Sequence, residues 1–144
     1  MKIYTDTSVL FSLYVTDANS LKADAWRRAN PVPIAFTSFH RLELRNALGL
    51  AVFQQRLTIE EVGAAWQQVQ QDLAGGLLVD KPILWGQLIR EAEALAEHHT
   101  PSIGSRSLDI LHVAAALVSG AIKFCTFDAR QVKLAQLAGL QVQP

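Results

Sequence analysis

KFCTFDARQ, residues 123–131, runs an apolar strand into a carboxylate and then into a helix. Phe124, Cys125 and Phe127 suit a strand buried on both faces, the kind found in parallel sheets. Asp128 opens a helical pattern whose first residues, Asp128-Ala-Arg-Gln131, resemble a capping box. The acid is therefore either a helix cap or part of a site. The choice depends on whether other acids occupy comparable places.

Outward from this stretch the same alternation repeats. Strands are expected at Ile3 to Asp6, Ile34 to Thr37, Leu77 to Val79, Lys123 to Phe127 and Leu140 to Val142. Helices are expected over Thr7 to Val15, Ser20 to Ala29, Ser38 to Gln55, Thr58 to Leu73, Ile83 to His98, Ser107 to Val118 and Asp128 to Ala138. Short apolar runs alternating with helical periods indicate βαβ units and a mostly parallel sheet. Thr58-Ile-Glu-Glu61 fits a capping box, and Gly75, Gly76 and Gly120 fall at expected helix ends. Loops are expected at Asn30 to Pro33 and at His98 to Arg106, the second because of Pro101 and Gly104.

With 144 residues and 50% hydrophobic content the chain fits one domain, residues 1–144, with its own core. The lone Cys125 reads as a buried thiol. The opening MKIYTD enters a strand without a signal-like apolar region, and no apolar run reaches about 18 residues, so a cytoplasmic protein without a membrane span is expected. Thirteen basic residues balance thirteen acidic ones. A nucleic-acid role cannot then be argued from bulk charge and must rest on local geometry.

Four acids stand out: Asp6 at the end of the first strand, Glu43 inside a helix, Asp109 in a helix's first turn and Asp128. Three of them map to the carboxyl edge of the sheet, where open α/β folds bind ligands. Asp6, Asp109 and Asp128 can each be read as caps or dipole partners. Glu43 is harder to explain that way. Its neighbours one turn off are Phe39, His40, Asn46 and Ala47, while Arg41 and Arg45 lie two residues away on other faces. A cluster of carboxylates needs a compensating cation, and an oxygen-only donor set suits Mg²⁺ or Mn²⁺. The matching chemistry is phosphodiester hydrolysis.

Taken together, IYTDTSVL, TSFHRLELRNAL, RSLDILHVAAAL, FCTFDARQ and the closing LAGLQV resemble the PIN-domain ribonucleases, and within them the VapC-like toxins of toxin-antitoxin pairs. The resemblance covers essentially the whole chain. It implies a three-layer α/β/α sandwich with a mostly parallel central sheet and an acidic pocket of Asp6, Glu43, Asp109 and Asp128. Metal ligation would fall to Asp6, Asp109 and Asp128, with Asn46 and Thr126 in supporting positions. It also implies Mg²⁺- or Mn²⁺-dependent RNA cleavage, a homodimer, and a small antitoxin as partner. On this basis Asp128 is assigned to the site, with capping as a compatible second role.

Arg41, Arg45, Arg106 and Arg130 are candidate contacts to RNA phosphates, or simply solvated helix faces. His40, His98, His99 and His112 lack zinc-ligand spacing and are read as packed or solvated. Trp26, Trp66 and Trp85 are read as core or interface anchors. Leu48, Leu50, Val52 and Phe53 give the helical pair Ser38 to Leu73 more apolar surface than one core stripe needs, which marks it as part of an antitoxin groove. Two alternatives remain: a non-catalytic PIN-like interaction module, and an Asp-dependent phosphotransfer domain. Ser8 stands where a haloacid-dehalogenase-like phosphatase wants a second acid, and neither the acid pair nor the lysine of a receiver is evident.

Overall fold

The computed structural model describes residues 2–144. In chain order the elements are β1 (Ile3–Thr5), α1 (Thr7–Tyr14), α2 (Ser20–Ala29), β2 (Ile34–Phe36), α3 (Ser38–Phe53), α4 (Ile59–Ala74), β3 (Leu78–Asp80), α5 (Trp85–Ile103), α6 (Ser107–Val118), β4 (Lys123–Cys125), α7 (Ala129–Leu137) and β5 (Gln141–Gln143). The chain forms two compact units. A terminal unit combines residues 2–6 with 83–144, and a middle unit spans Thr7–Pro82.

In the terminal unit β4 lies between β1 and β5, parallel to both, with Tyr4 opposite Phe124 and Phe124 opposite Val142. In the middle unit β2 and β3 pair in parallel, Ile34 opposite Leu78. The parallel pairing expected from the apolar runs is therefore present, as one three-stranded and one two-stranded ladder. Each strand is three residues long, shorter by one or two residues than most of the expected spans, although the N–H groups of Asp6 and Thr126 extend the backbone ladder one residue further.

The terminal core gathers Tyr4, Leu88, Leu95, Ile110, Val113, Phe124, Leu134 and Leu140. Tyr4 stacks on Phe124 at 5.7 Å between ring centroids, and its hydroxyl meets His112 Nδ1 at 2.8 Å. Burying a side chain such as Phe124 stabilises the fold by roughly 1.5–3 kcal/mol. The polar ends of Tyr4 and His112 satisfy each other inside that core. His112 is thus a packed histidine. In the middle unit the fully buried side chains include Leu10, Phe36, Leu44, Leu48 and Val69.

Local signals set most helix ends. Thr58 accepts from the Glu61 N–H while Glu61 accepts from the Thr58 N–H, both at 3.1 Å, which is the expected capping box. Thr37 forms a second such box with His40, whose Nδ1 accepts from the Thr37 N–H. One expected loop is corrected: His98 to Arg106 is helical as far as Ile103. Pro101 lies in the last turn, where it removes one backbone donor but leaves the terminus intact. Gly104, at φ 65°, donates its N–H to the Thr100 carbonyl at 2.8 Å and closes the helix in the left-handed conformation. Ile103 packs against the terminal core, which holds that extra turn in place.

Candidate active site

Asp6 is the residue after β1, and its N–H continues the ladder to the Cys125 carbonyl at 3.0 Å. Thr126, the residue after β4, is fixed in the same way by its N–H to the Gln143 carbonyl. Two adjacent parallel strands thus place these side chains at one edge. Asp6 is fully buried, and its Oδ2 accepts from the Thr126 hydroxyl at 2.6 Å and from Gln131 Nε2 at 2.9 Å. The Thr126 hydroxyl also accepts from the Asp128 N–H at 2.9 Å. One hydroxyl therefore joins the carboxylate of Asp6 to the backbone of Asp128.

Asp128 is the N-cap of α7. Its carboxylate accepts from the Arg130 N–H at 3.0 Å and pairs with the Arg130 guanidinium at 3.2 Å. The expected capping box is replaced by a simple N-cap: Asp128 accepts from Arg130 rather than from the Gln131 N–H, and the Gln131 side chain turns to Asp6. Asp128 beside Arg130, and then the charge of Asp109, raise the guanidinium's pKa above its ordinary value. The charges of Asp109 and Asp128 thus both reach one exposed arginine. Cys125 is buried as expected. Burial chiefly, and the negative charge of Asp6 secondarily, push its thiol well above the usual range.

Asp109 stands in the first turn of α6, half-buried, and Arg106 is the exposed residue preceding that helix. In the middle unit Glu43 is half-buried on α3, and its Oε1 accepts from the Thr7 hydroxyl at 2.7 Å. Asn46 is exposed one turn further along. Arg45 lies over the Trp66 ring at 3.9 Å from its centroid, and Arg41 lies over Phe36 and Trp66 at 5.5 and 5.7 Å. These guanidiniums are held on aromatic faces rather than paired with Glu43, as the helix spacing required. Trp26 and Trp66 are buried, whereas Trp85 is about half exposed. Leu48 is fully buried and belongs to the core, so it drops out of the apolar surface expected on α3 and α4. Val52 is half-buried, and the exposed large apolar residues of these two helices are Leu42, Leu50, Phe53 and Ile59.

Asp6, Asp109 and Asp128 belong to the terminal unit, and Glu43 and Asn46 to the middle one. Among the described residues no three His, Cys, Asp or Glu side chains form a ready-made metal cage. A hydrated Mg²⁺ does not need one, since it keeps several waters and takes one or two carboxylates. The donors at this edge are oxygens, and Gln131 Oε1 is buried there with no hydrogen-bond partner among the described residues. That orphaned acceptor and the oxygen-rich set fit a hydrated divalent cation. Gln131 and Thr7 were not singled out as site residues from the sequence. Gln131 stood in view but matched a local capping pattern, and nothing near Thr7 in sequence pointed to a partner 36 residues away.

The fold agrees with what known proteins show. A search of curated proteins finds no match. Among solved structures, VapC20 of Mycobacterium tuberculosis, described as a sarcin-ricin loop cleaving toxin, superposes with a TM-score of 0.70 at 17% identity, covering 99% of this chain and 100% of that one. FitAcB from Neisseria gonorrhoeae superposes with a TM-score of 0.67 at 16% identity, covering 99% and 96%. Identities this low establish the fold, an α/β sandwich with a small parallel sheet. Family membership comes from the sequence itself: residues 3–137, which carry all four acids, match the PIN domain model, and the chain belongs to the PIN domain family.

Proposed function

We propose that the chain, as a single PIN-like domain over residues 1–144, is a Mg²⁺- or Mn²⁺-dependent endoribonuclease and the toxin of a toxin-antitoxin pair. The observation that carries this is the Thr126 hydroxyl, which ties the buried Asp6 carboxylate to Asp128 at the carboxyl ends of adjacent parallel strands. Burying a carboxylate is costly unless it is well partnered, so such an arrangement is more than a cap requires. Asp6 and Asp109 would be the principal ligands, directly or through water, Asp128 would complete the shell or hold a second ion, and Glu43, kept in one orientation by Thr7, would orient a ligand water or the attacking nucleophile. When bound, the ion would supply charge neutralisation and Lewis acidity for hydrolysis of a phosphodiester. Thr126 fixes Asp6, Asn46 would be a second helper that holds an acid or the metal-bound water, and Arg41, Arg45, Arg106 and Arg130 are candidate contacts to RNA phosphates.

Attack by water leaves 5′-phosphate and 3′-hydroxyl ends. Incubating the purified protein with Mn²⁺ and folded RNAs, tRNA and the sarcin-ricin loop first, tests this. Ends carrying a 2′,3′-cyclic phosphate would overturn it, as would cleavage that survives both EDTA and Asp6→Asn. The partners follow from the same reading: a small antitoxin, a second copy of the chain, and RNA in the cytoplasm. No described helix is long and apolar enough to cross a membrane. Leu42, Leu50, Phe53 and Ile59 are the proposed antitoxin contacts, and expression of the chain alone should arrest growth, with relief by the antitoxin. A non-catalytic interaction module is the second reading, favoured by the engagement of Asp128 with its own helix and Arg130. A protein of that kind would show no response to Mn²⁺.

A further inference from the structure

Gln131 occupies the first turn of α7, its N–H bonded to the Asp128 carbonyl and its side chain 5% exposed. A carboxylate can only accept, so the end of the amide that meets Asp6 must be the NH₂ group. That contact is a charge-assisted bond of 2.9 Å. It converges with the Thr126 hydroxyl on the same oxygen, Oδ2, so the carboxylate is set by one contact from a strand end and one from a helix. The other end of the amide, Oε1, is buried and has no hydrogen-bond partner among the described residues. An acceptor left unmet in this way destabilises the fold, and an apolar side chain of the same size would avoid the loss. The amide is therefore suited to a donor that the protein does not itself provide.

We propose that Gln131 is a positioning residue of the cation site, its amide N–H fixing Asp6 and its Oε1 accepting from the hydration shell of the bound ion. Losing a group that orients a metal ligand typically costs about ten- to a hundredfold in metal affinity. A Mg²⁺ ion that keeps most of its water presents donors outward, which is what Oε1 lacks. Arg130, one residue earlier in the same turn, cannot take this role because its guanidinium is exposed and paired with Asp128.

Because this rests on the metal-dependent reading above, the experiment separates the two. Wild type, Asp6→Asn, Gln131→Met and Gln131→Glu, all full-length, are titrated with Mn²⁺ by calorimetry and melted in EDTA and in Mn²⁺, and RNA cleavage is measured for each. Gln131→Met should bind Mn²⁺ about ten- to a hundredfold more weakly than wild type. Its kcat should fall while KM for RNA stays unchanged. Gln131→Glu puts a second negative charge beside Asp6, so it should melt below wild type in EDTA and rise further on adding Mn²⁺. If Asp6→Asn loses Mn²⁺ binding while both Gln131 variants bind like wild type, Gln131 is only a packing residue and the metal reading stands. If wild type shows no Mn²⁺ response, both proposals fall together. Should Gln131→Met not fold, a Mn²⁺-induced rise in Gln131→Glu no larger than that of wild type overturns the proposal on its own.

Discussion

Thr37 and Thr126 each follow a short parallel strand, and their hydroxyls are put to different uses. Thr37, after β2, receives the N–H of His40 and closes the start of α3, a contact spanning three residues. Thr126, after β4, donates to Asp6, 120 residues away in sequence, and receives the Asp128 N–H. The aspartates of the two ladders differ in parallel fashion. Asp6 follows β1 and is buried under two donors, whereas Asp80 closes β3 and is exposed. The carboxyl edge of a parallel sheet says where ligands bind in such folds. It does not say which acid there is a site. Buried donors from distant elements set Asp6 apart from Asp80, and the proposed site rests on that difference.

The largest expected effect tests this contrast directly. With Mn²⁺ at about a hundred times its dissociation constant, wild type should gain roughly 2.7 kcal/mol, and Asp6→Asn and Asp109→Asn far less. Asp80→Asn should respond as wild type does. In EDTA, Asp109→Asn should also melt above wild type, since a like charge has been removed from the cluster. Melts of the four proteins in the two buffers provide the measurement. Equal metal responses throughout would erase the difference between Asp6 and Asp80.

Next come the threonines. Thr126→Val leaves a buried carboxylate and a backbone N–H short of a partner and should cost roughly 1–3 kcal/mol in urea unfolding. Thr37→Val removes a helix cap and should cost about 1 kcal/mol. The reverse order would make Thr126 the ordinary member of the pair. Asp80→Asn, an exposed change, should stay within about 0.5 kcal/mol of wild type in the same assay. At the small end, native Cys125 should leave a thiol reagent such as DTNB unreacted until urea unfolds the chain. Burial and the charge of Asp6 both hold its thiol protonated. Rapid labelling of the folded protein would show that the floor beneath Asp6 is open to solvent.

Elements governed by neighbours in sequence were legible before the structure. Helix α2 runs Ser20–Ala29 and α6 runs Ser107–Val118 as expected, and the Thr58–Glu61 box forms. Pattern misled where a residue had both a local and a distant option. Pro101 and Gly104 looked like a loop, but Ile103 had a core to join. Leu48 looked like spare apolar surface, but it fills the middle unit. Gln131 looked like half of a capping box, but a buried carboxylate offered its amide a stronger bond.

By itself the sequence determined the α/β class, the parallel pairing, the family resemblance and the candidacy of Asp6, Glu43, Asp109 and Asp128. Apolar period, caps and motif order are short-range signals, written within a few residues of where they act. Only the tertiary structure decided that Thr126 and Gln131 converge on Asp6, that Thr7 holds Glu43, and that Arg41 and Arg45 lie on Trp66. The contacts to Asp6 and Glu43 join residues 36 to 125 positions apart. Side-chain hydrogen bonds over such distances depend on which strands pair and which faces pack, and no local pattern in the chain encodes that.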